Sequence, residues 1–144
     1  MTNGLTMKSE KILDLAVGGI KFCESGGSLD DFLDFHLKEN EFRSVVSSIL
    51  FTYFRKRAVL DYAIKLFTRK KPSDFLRIAL SVVFVQILYQ TGIEPFAATD
   101  IAVSYVKKVE GKFAGNFVNA VVRNFLRYIE MDENKDKILY FYPY

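Results

Sequence analysis

Two amides and two guanidinium groups lie at helical spacing near the C-terminal end of the chain. Asn116, Asn119, Arg123 and Arg127 follow one another at steps of three and four residues in the segment FAGNFVNAVVRNFLR. One face of a helix would therefore carry all four. Arginines one turn apart can contact neighbouring phosphates, and asparagine amides can form hydrogen bonds beside them. The pattern permits RNA binding, although exposed helix faces commonly carry charge without binding any nucleic acid.

Two basic clusters and one further lysine extend this prediction. Residues 55–57 lie at the C-terminal end of a predicted helix, where positive charge also complements the helix dipole. Residues 69–71 lie in a loop before Pro72, where solvated charge is common. The candidate RNA-binding residues are therefore Arg55, Lys56, Arg57, Arg69, Lys70, Lys71, Lys112, Arg123 and Arg127.

The sequence shows no pattern typical of an active site. A Gly-rich phosphate loop and a nucleophile elbow are both missing. Cys23 and His36 are the single cysteine and the single histidine, so an internal disulfide and a Cys/His zinc site are excluded. We expect Cys23 to be a buried apolar residue and His36 to be packed or exposed. We expect no catalytic residue, no metal and no cofactor, and a chain that is not an enzyme by itself.

Length and composition indicate one globular domain. The chain has 144 residues, of which 50% are hydrophobic, and a net charge of +3. The N-terminal segment has no apolar stretch typical of a secretory signal. The longest nearly apolar run, Ile78–Leu88, is shorter than the roughly 20 residues that cross a bilayer, so it predicts a buried core helix. These features favour a cytoplasmic protein that does not enter a membrane.

Apolar residues recur at helical spacing along most of the chain, and no long segment alternates with the period of a strand. Ser9, Asn40, Ser73 and Pro95 are expected to begin helices, and Gly92 and Gly111 to end them. The sequence predicts an all-α bundle of about seven helices, at about residues 10–24, 29–37, 41–57, 59–67, 75–90, 95–109 and 112–131.

Three blocks in the second half of the chain resemble the NusB-like domain family. They are LRIALSVVFVQILYQTGIEP (76–95), AATDIAVSYVKK (97–108) and GKFAGNFVNAVVRNFLR (111–127). Their order and spacing are similar to the family pattern. Asp100 and Ile101 depart from the Asn-Glu pair that is usual there, and Thr52 stands where glycine is frequent. The resemblance implies an all-α fold of two packed helical subdomains.

Within this family, the chain is most similar to the N-terminal domain of the RsmB-type 16S ribosomal RNA cytosine-C5 methyltransferases. Ala120 and Arg123 match that branch, as do SILFTYFRKRAVLDYAI and the closing YFYPY. The resemblance implies a noncatalytic RNA-binding domain at 1–131, followed at 132–144 by a tail or the start of a linker. It also implies that Asn119 satisfies backbone groups near Pro95.

The partners implied are RNA, ribosomal in this interpretation, and a methyltransferase catalytic domain. Arg123 and Arg127 would contact one or the other. Two alternatives stay open. One is a NusB-type transcription antitermination factor that binds RNA with a ribosomal protein, and the other is a helical bundle that binds only proteins.

Overall fold

The computed structural model describes residues 4–141, and the regular secondary structure of this part of the chain is all helical. Between residues 4 and 141 it contains eight α-helices, one π-helical turn and no strand, which confirms the predicted all-α class. The elements are α1 (Gly4–Glu24), α2 (Leu29–Asp31), the π-helical turn (Phe32–His36), α3 (Arg43–Arg55), α4 (Arg57–Phe67), α5 (Asp74–Tyr89), α6 (Pro95–Glu110), α7 (Lys112–Ile129) and α8 (Asp132–Leu139).

Helix α5 lies at the centre of the molecule. Every residue from 78 to 87 is buried, as the apolar run predicts. This stretch of the helix is apolar on all sides, so every side must be covered by other helices. The helices that pack against it are α1, α3, α4, α6 and α7. Ser81, in the middle of this run, donates its hydroxyl hydrogen to the carbonyl oxygen of Arg77 at 2.8 Å, so its burial leaves no donor unpaired.

The buried side chains form one continuous core. Phe84 of α5 and Phe125 of α7 meet edge to face, with ring centroids 4.2 Å apart. Phe67 at the end of α4 packs on Phe125 from the other side, at 5.7 Å. The helices therefore pack around α5 and share a single hydrophobic core.

Helices α6 and α7 form an antiparallel hairpin. Gly111 lies between them with a φ of 98°, a conformation that favours glycine, as expected for a residue that ends α6. Gly115 faces the aliphatic part of Lys107 so closely that an added Cβ would lie 2.2 Å from its Cγ. The hairpin thus depends on small residues where the two helices are closest.

Several predicted helix ends are confirmed, and three are wrong. Asn40 does not begin α3, which starts at Arg43 after the N-cap residue Phe42. Ser73 accepts a hydrogen bond from the amide of Leu76, and Pro95 opens α6 behind the capping carboxylate of Glu94. However, α1 begins at Gly4 and continues through Ser9, because the earlier residues also adopt helical geometry. Helix α5 ends at Tyr89, before the position expected from Gly92.

Residues 132–139, which the sequence analysis placed in a tail, form α8. Its first two residues, Asp132 and Glu133, are exposed, but Ile138 is fully buried in the core beside α4 and α7. The packed body therefore extends past residue 131, since one apolar residue anchors an otherwise polar helix. The end of the YFYPY segment, at residues 142–144, lies outside the described residues.

The adjacent glycines of α1 have opposite environments, and they give a matched test of helix packing. A Cβ on Gly19 would lie 2.8 Å from Leu50 Cδ1 and 2.9 Å from Phe32 Cε2, whereas nothing lies within 4 Å of one on Gly18. We expect Gly19→Ala to lower the free energy of unfolding by about 1–3 kcal/mol through overpacking. We expect Gly18→Ala to raise it by up to about 1 kcal/mol through helix propensity.

Urea denaturation followed by circular dichroism measures both changes. Equal effects of the two substitutions would show that the close contact of α1 with α3 does not depend on Gly19.

Candidate nucleic-acid interface

A small cleft brings two of the predicted cations together with aromatic residues. It has a volume of about 330 Å³ and lies between the turn that joins α3 to α4 and the end of α8. Arg55 and Lys56 line one side, and Tyr140 and Phe141 line the other. We call it the Arg55 cleft. Its two sides are held together because Ile138 anchors α8 in the core.

The aromatic side of the Arg55 cleft combines one fixed ring and one exposed ring. Phe141 stacks on Tyr62 of α4, with ring centroids 4.1 Å apart and planes within 3°. Tyr140 is 79% exposed, so its face is open to solvent. Aromatic rings of this kind can stack on unpaired bases.

The basic side of the cleft is available for an anion. Arg55 is exposed and forms no ion pair with any residue from 4 to 141. Lys56 is half-buried, and its Nζ lies 5.8 Å from the ring centroid of Tyr89. Two cations beside an open ring can bind a phosphate and its base together.

Arg57, the third member of this cluster, is directed into the fold. Its guanidinium donates to Glu24 at 3.2 Å and lies 5.1 Å from the ring centroid of Tyr53. Its Nε is also 3.9 Å from the Asp61 carboxylate. The fold thus separates Arg57 from its two neighbours in the sequence.

Arg77 is an important cation that sequence analysis missed. It donates to Glu24 at 2.6 Å and to the Tyr53 hydroxyl at 2.9 Å, and its side chain is only 15% exposed. Burial alone would lower the pKa of Arg77, but hydrogen bonds and charge from Tyr53 and Glu24 raise it. The pKa of Tyr53 is raised, chiefly by burial. A lone arginine at the start of the most apolar helix was the available signal.

Some of the polar side chains predicted to share one face of α7 form bonds within the α6–α7 hairpin. Arg123 donates to Asn119 at 2.7 Å and to Asp100 of α6 at 3.0 Å. The expected contact of Asn119 with backbone near Pro95 is therefore wrong, because its Oδ1 accepts from Arg123. Asp100, a departure from the family pattern, is the residue that pairs with this arginine. Arg127 is exposed and bonds to Asn124 on its own helix.

The remaining candidates lie on other parts of the surface. Residues 69–71 are exposed in the loop after α4, which leaves the core at Phe67. Lys112 is exposed at the start of α7, next to Phe113, whose side chain is 90% exposed. Of the nine predicted residues, Arg55 and Lys56 are the pair that the structure brings into one cleft with aromatic side chains.

Cys23 and His36 show no arrangement typical of catalysis. Cys23 is half-buried rather than buried, since it lies near the exposed end of α1. Burial and the charge of Glu24 raise the pKa of its thiol. His36 is exposed and stacks on Phe32, with ring centroids 5.1 Å apart. No cluster of three metal-binding side chains occurs in the described part of the chain.

No helix within residues 4–141 has the length and apolar character needed to cross a membrane.

Comparison with protein families identifies the class of this helical domain. The NusB family model matches residues 15–127, a range that runs from α1 to near the end of α7. The chain belongs to the NusB family. Searches of curated proteins and of solved structures gave no match.

Two arginines that each bond to a carboxylate differ in burial, and we expect them to differ in their contribution to stability. Arg77→Met should lower the free energy of unfolding by about 1–3 kcal/mol, because it leaves Glu24 and the Tyr53 hydroxyl without their shared donor. Arg123→Met should change it by less than about 1 kcal/mol, since the Arg123–Asp100 pair is exposed.

Chemical denaturation of both variants measures the difference. An equal loss would show that the network around Glu24 contributes no more than a surface ion pair.

Proposed function

We propose that this protein is a noncatalytic RNA-binding domain of the kind found at the N-terminus of the RsmB-type ribosomal RNA methyltransferases. It would hold or orient ribosomal RNA. The Arg55 cleft carries the proposal, because it combines free positive charge with an open aromatic ring. Membership of the NusB family supports it, as do Ala120 and Arg123, the positions at which the sequence resembles this branch.

The composition of the cleft favours an unpaired nucleotide as its ligand. A duplex offers its phosphates but keeps its bases stacked, so it cannot use the ring of Tyr140. A single strand can place a phosphate at Arg55 and stack the adjoining base on Tyr140. Phe141 would limit the depth of the site, since it is fixed on Tyr62.

The other predicted cations are assigned to supporting contacts. Arg127 is exposed on α7, and Arg123 keeps part of its guanidinium accessible beside Asp100. They would contact ribosomal RNA or the catalytic domain of a methyltransferase. Residues 69–71 and Lys112 would add non-specific attraction for the phosphate backbone.

A NusB-type antitermination factor is the second candidate function. The observation in its favour is that residues 15–127 match the model of the NusB family. Such a factor would bind RNA with a ribosomal protein. A ribosomal protein that increases RNA affinity in a titration would therefore favour this function over the methyltransferase type.

Removing one charge from the Arg55 cleft should weaken RNA binding in a salt-dependent way. We expect Arg55→Gln to reduce the affinity for single-stranded ribosomal RNA fragments, and to lower the slope of log K against log salt by about 0.7, as for one lost phosphate contact. Filter binding at a series of ionic strengths measures both quantities.

Lys38→Gln is the matched control. Lys38 is exposed and precedes α3, whereas Arg55 ends it, so about 20 Å of helix separates them. Equal losses from both variants would indicate general attraction by net charge and would reject the Arg55 cleft as the site.

The ring of Tyr140 should contribute through stacking and not through its hydroxyl. Tyr140→Ala should weaken RNA binding by about 1–3 kcal/mol, while Tyr140→Phe should leave it nearly unchanged. Fluorescence anisotropy with a labelled RNA oligonucleotide distinguishes the two variants. Full affinity in Tyr140→Ala would show that bases do not stack at this position.

A further inference from the structure

A large depression on the described surface lies away from the Arg55 cleft. It has a volume of about 1040 Å³ and is bordered by α1, α3, the end of α5 and α6. We call it the α3–α6 groove. A helix with a diameter of about 10 Å and a rise of 1.5 Å per residue would fill this volume with about nine residues.

The charged side chains that line the groove are all acidic. They are Glu41 before α3, Glu94 at the start of α6, and Asp100 nearly two turns further along α6. No lysine or arginine lines it. Arg123 bonds to Asp100, and counting it leaves three negative charges against one positive charge. The groove therefore repels the phosphate backbone of a nucleic acid.

The three carboxylates of the groove differ in the hydrogen bonds and ion pairs that they form within the protein. Glu94 accepts hydrogen bonds from the amides of Phe96 and Ala97, both at 3.0 Å, and so caps α6. Asp100 is shared with Arg123. Glu41 is exposed and forms no ion pair with any described residue. A cation that enters the groove would therefore find its least compensated partner at Glu41.

The floor of the groove is apolar, with one polar group that has no partner. Ile12, Val45 and Ile101 are half-buried there. Tyr89 also lines the groove, and its hydroxyl is buried without a hydrogen-bond partner among the described residues. A buried hydroxyl normally has a partner, so Tyr89 is positioned to bond with a ligand in the groove.

Two exposed aromatic residues extend this surface. Phe51 is 46% exposed and lies one turn beyond Ser48 of α3, on the same helix face. Phe96 is 52% exposed and lies one turn before Asp100 on α6. Exposed rings beside an apolar floor are typical of surfaces that bind proteins.

We propose that the α3–α6 groove docks a basic amphipathic helical segment of a partner protein. Its apolar side chains would cover Ile12, Val45 and Ile101, and its lysines or arginines would face the carboxylates. Charge complementarity selects this occupant over RNA, because the rim attracts cations. The proposal is independent of RNA binding, since none of the groove residues lines the Arg55 cleft.

Two synthetic peptides of identical length test the proposal. One has leucines at helical spacing and lysines on the opposite face, and the other carries glutamate at every lysine position. We expect the lysine peptide to bind and to shift the NMR amide signals of Ser44, Ser48 and Ala97. The glutamate peptide should bind at least about tenfold more weakly.

Charge-reversal variants locate the contact. Glu41→Lys should weaken binding of the lysine peptide by about tenfold at low salt. Glu130→Lys makes the same change of net charge at an exposed residue outside the groove and should have no effect. Neither residue is buried, so both variants are expected to fold, and thermal unfolding followed by circular dichroism checks this.

Three results would overturn the proposal. The first is equal weakening by the two variants, which indicates attraction by net charge. The second is a set of NMR shifts on Ser44, Ser48 and Ala97 caused by a single-stranded RNA oligonucleotide, which would make the groove an RNA site. The third is a concentration-dependent dimer that excludes the lysine peptide, which would make a second copy of the chain the occupant.

Discussion

The burial of α5 on every side over residues 78–87 is the constraint on which the rest of the structure depends. A helix that is apolar on all sides is stable in water only when other helices cover every face. Five helices do so here, and their own apolar faces are thereby directed inward. The one cation near its start, Arg77, can lie at this position because Glu24 and Tyr53 bond to it.

The network around Glu24 also determines which cations are available for a ligand. Its carboxylate holds both Arg57 and Arg77, so these arginines connect α1 to α4 and α5. Arg55 and Lys56 are adjacent to Arg57 in the sequence but have no carboxylate partner among the described residues. Of these three consecutive basic residues, Arg57 therefore stabilises the fold, whereas Arg55 and Lys56 are available for a ligand.

Local patterns in the sequence were sufficient for most of the helices, but not for α8 or for the contacts between helices. Ser73 and Pro95 act within one turn of the helices they begin, so their effect is visible in the sequence. Glu24 and Arg77 are 53 residues apart, and no local pattern indicates that they meet. The cleft was missed for the same reason: α8 is mainly polar, and its position depends on the single buried residue Ile138.

The two candidate surfaces differ in the sign of their charge, and helix α3 contributes to both. Ser44 and Ser48 lie along the acidic groove, whereas Arg55 ends the same helix in the basic cleft. The groove repels a polynucleotide, and the cleft repels a cationic peptide, so each surface excludes the ligand of the other. Tyr89 connects them, because its ring lies below Lys56 and also lines the groove. Because Lys56 belongs to the cleft and Tyr89 to the groove, this contact is a place at which the two surfaces meet.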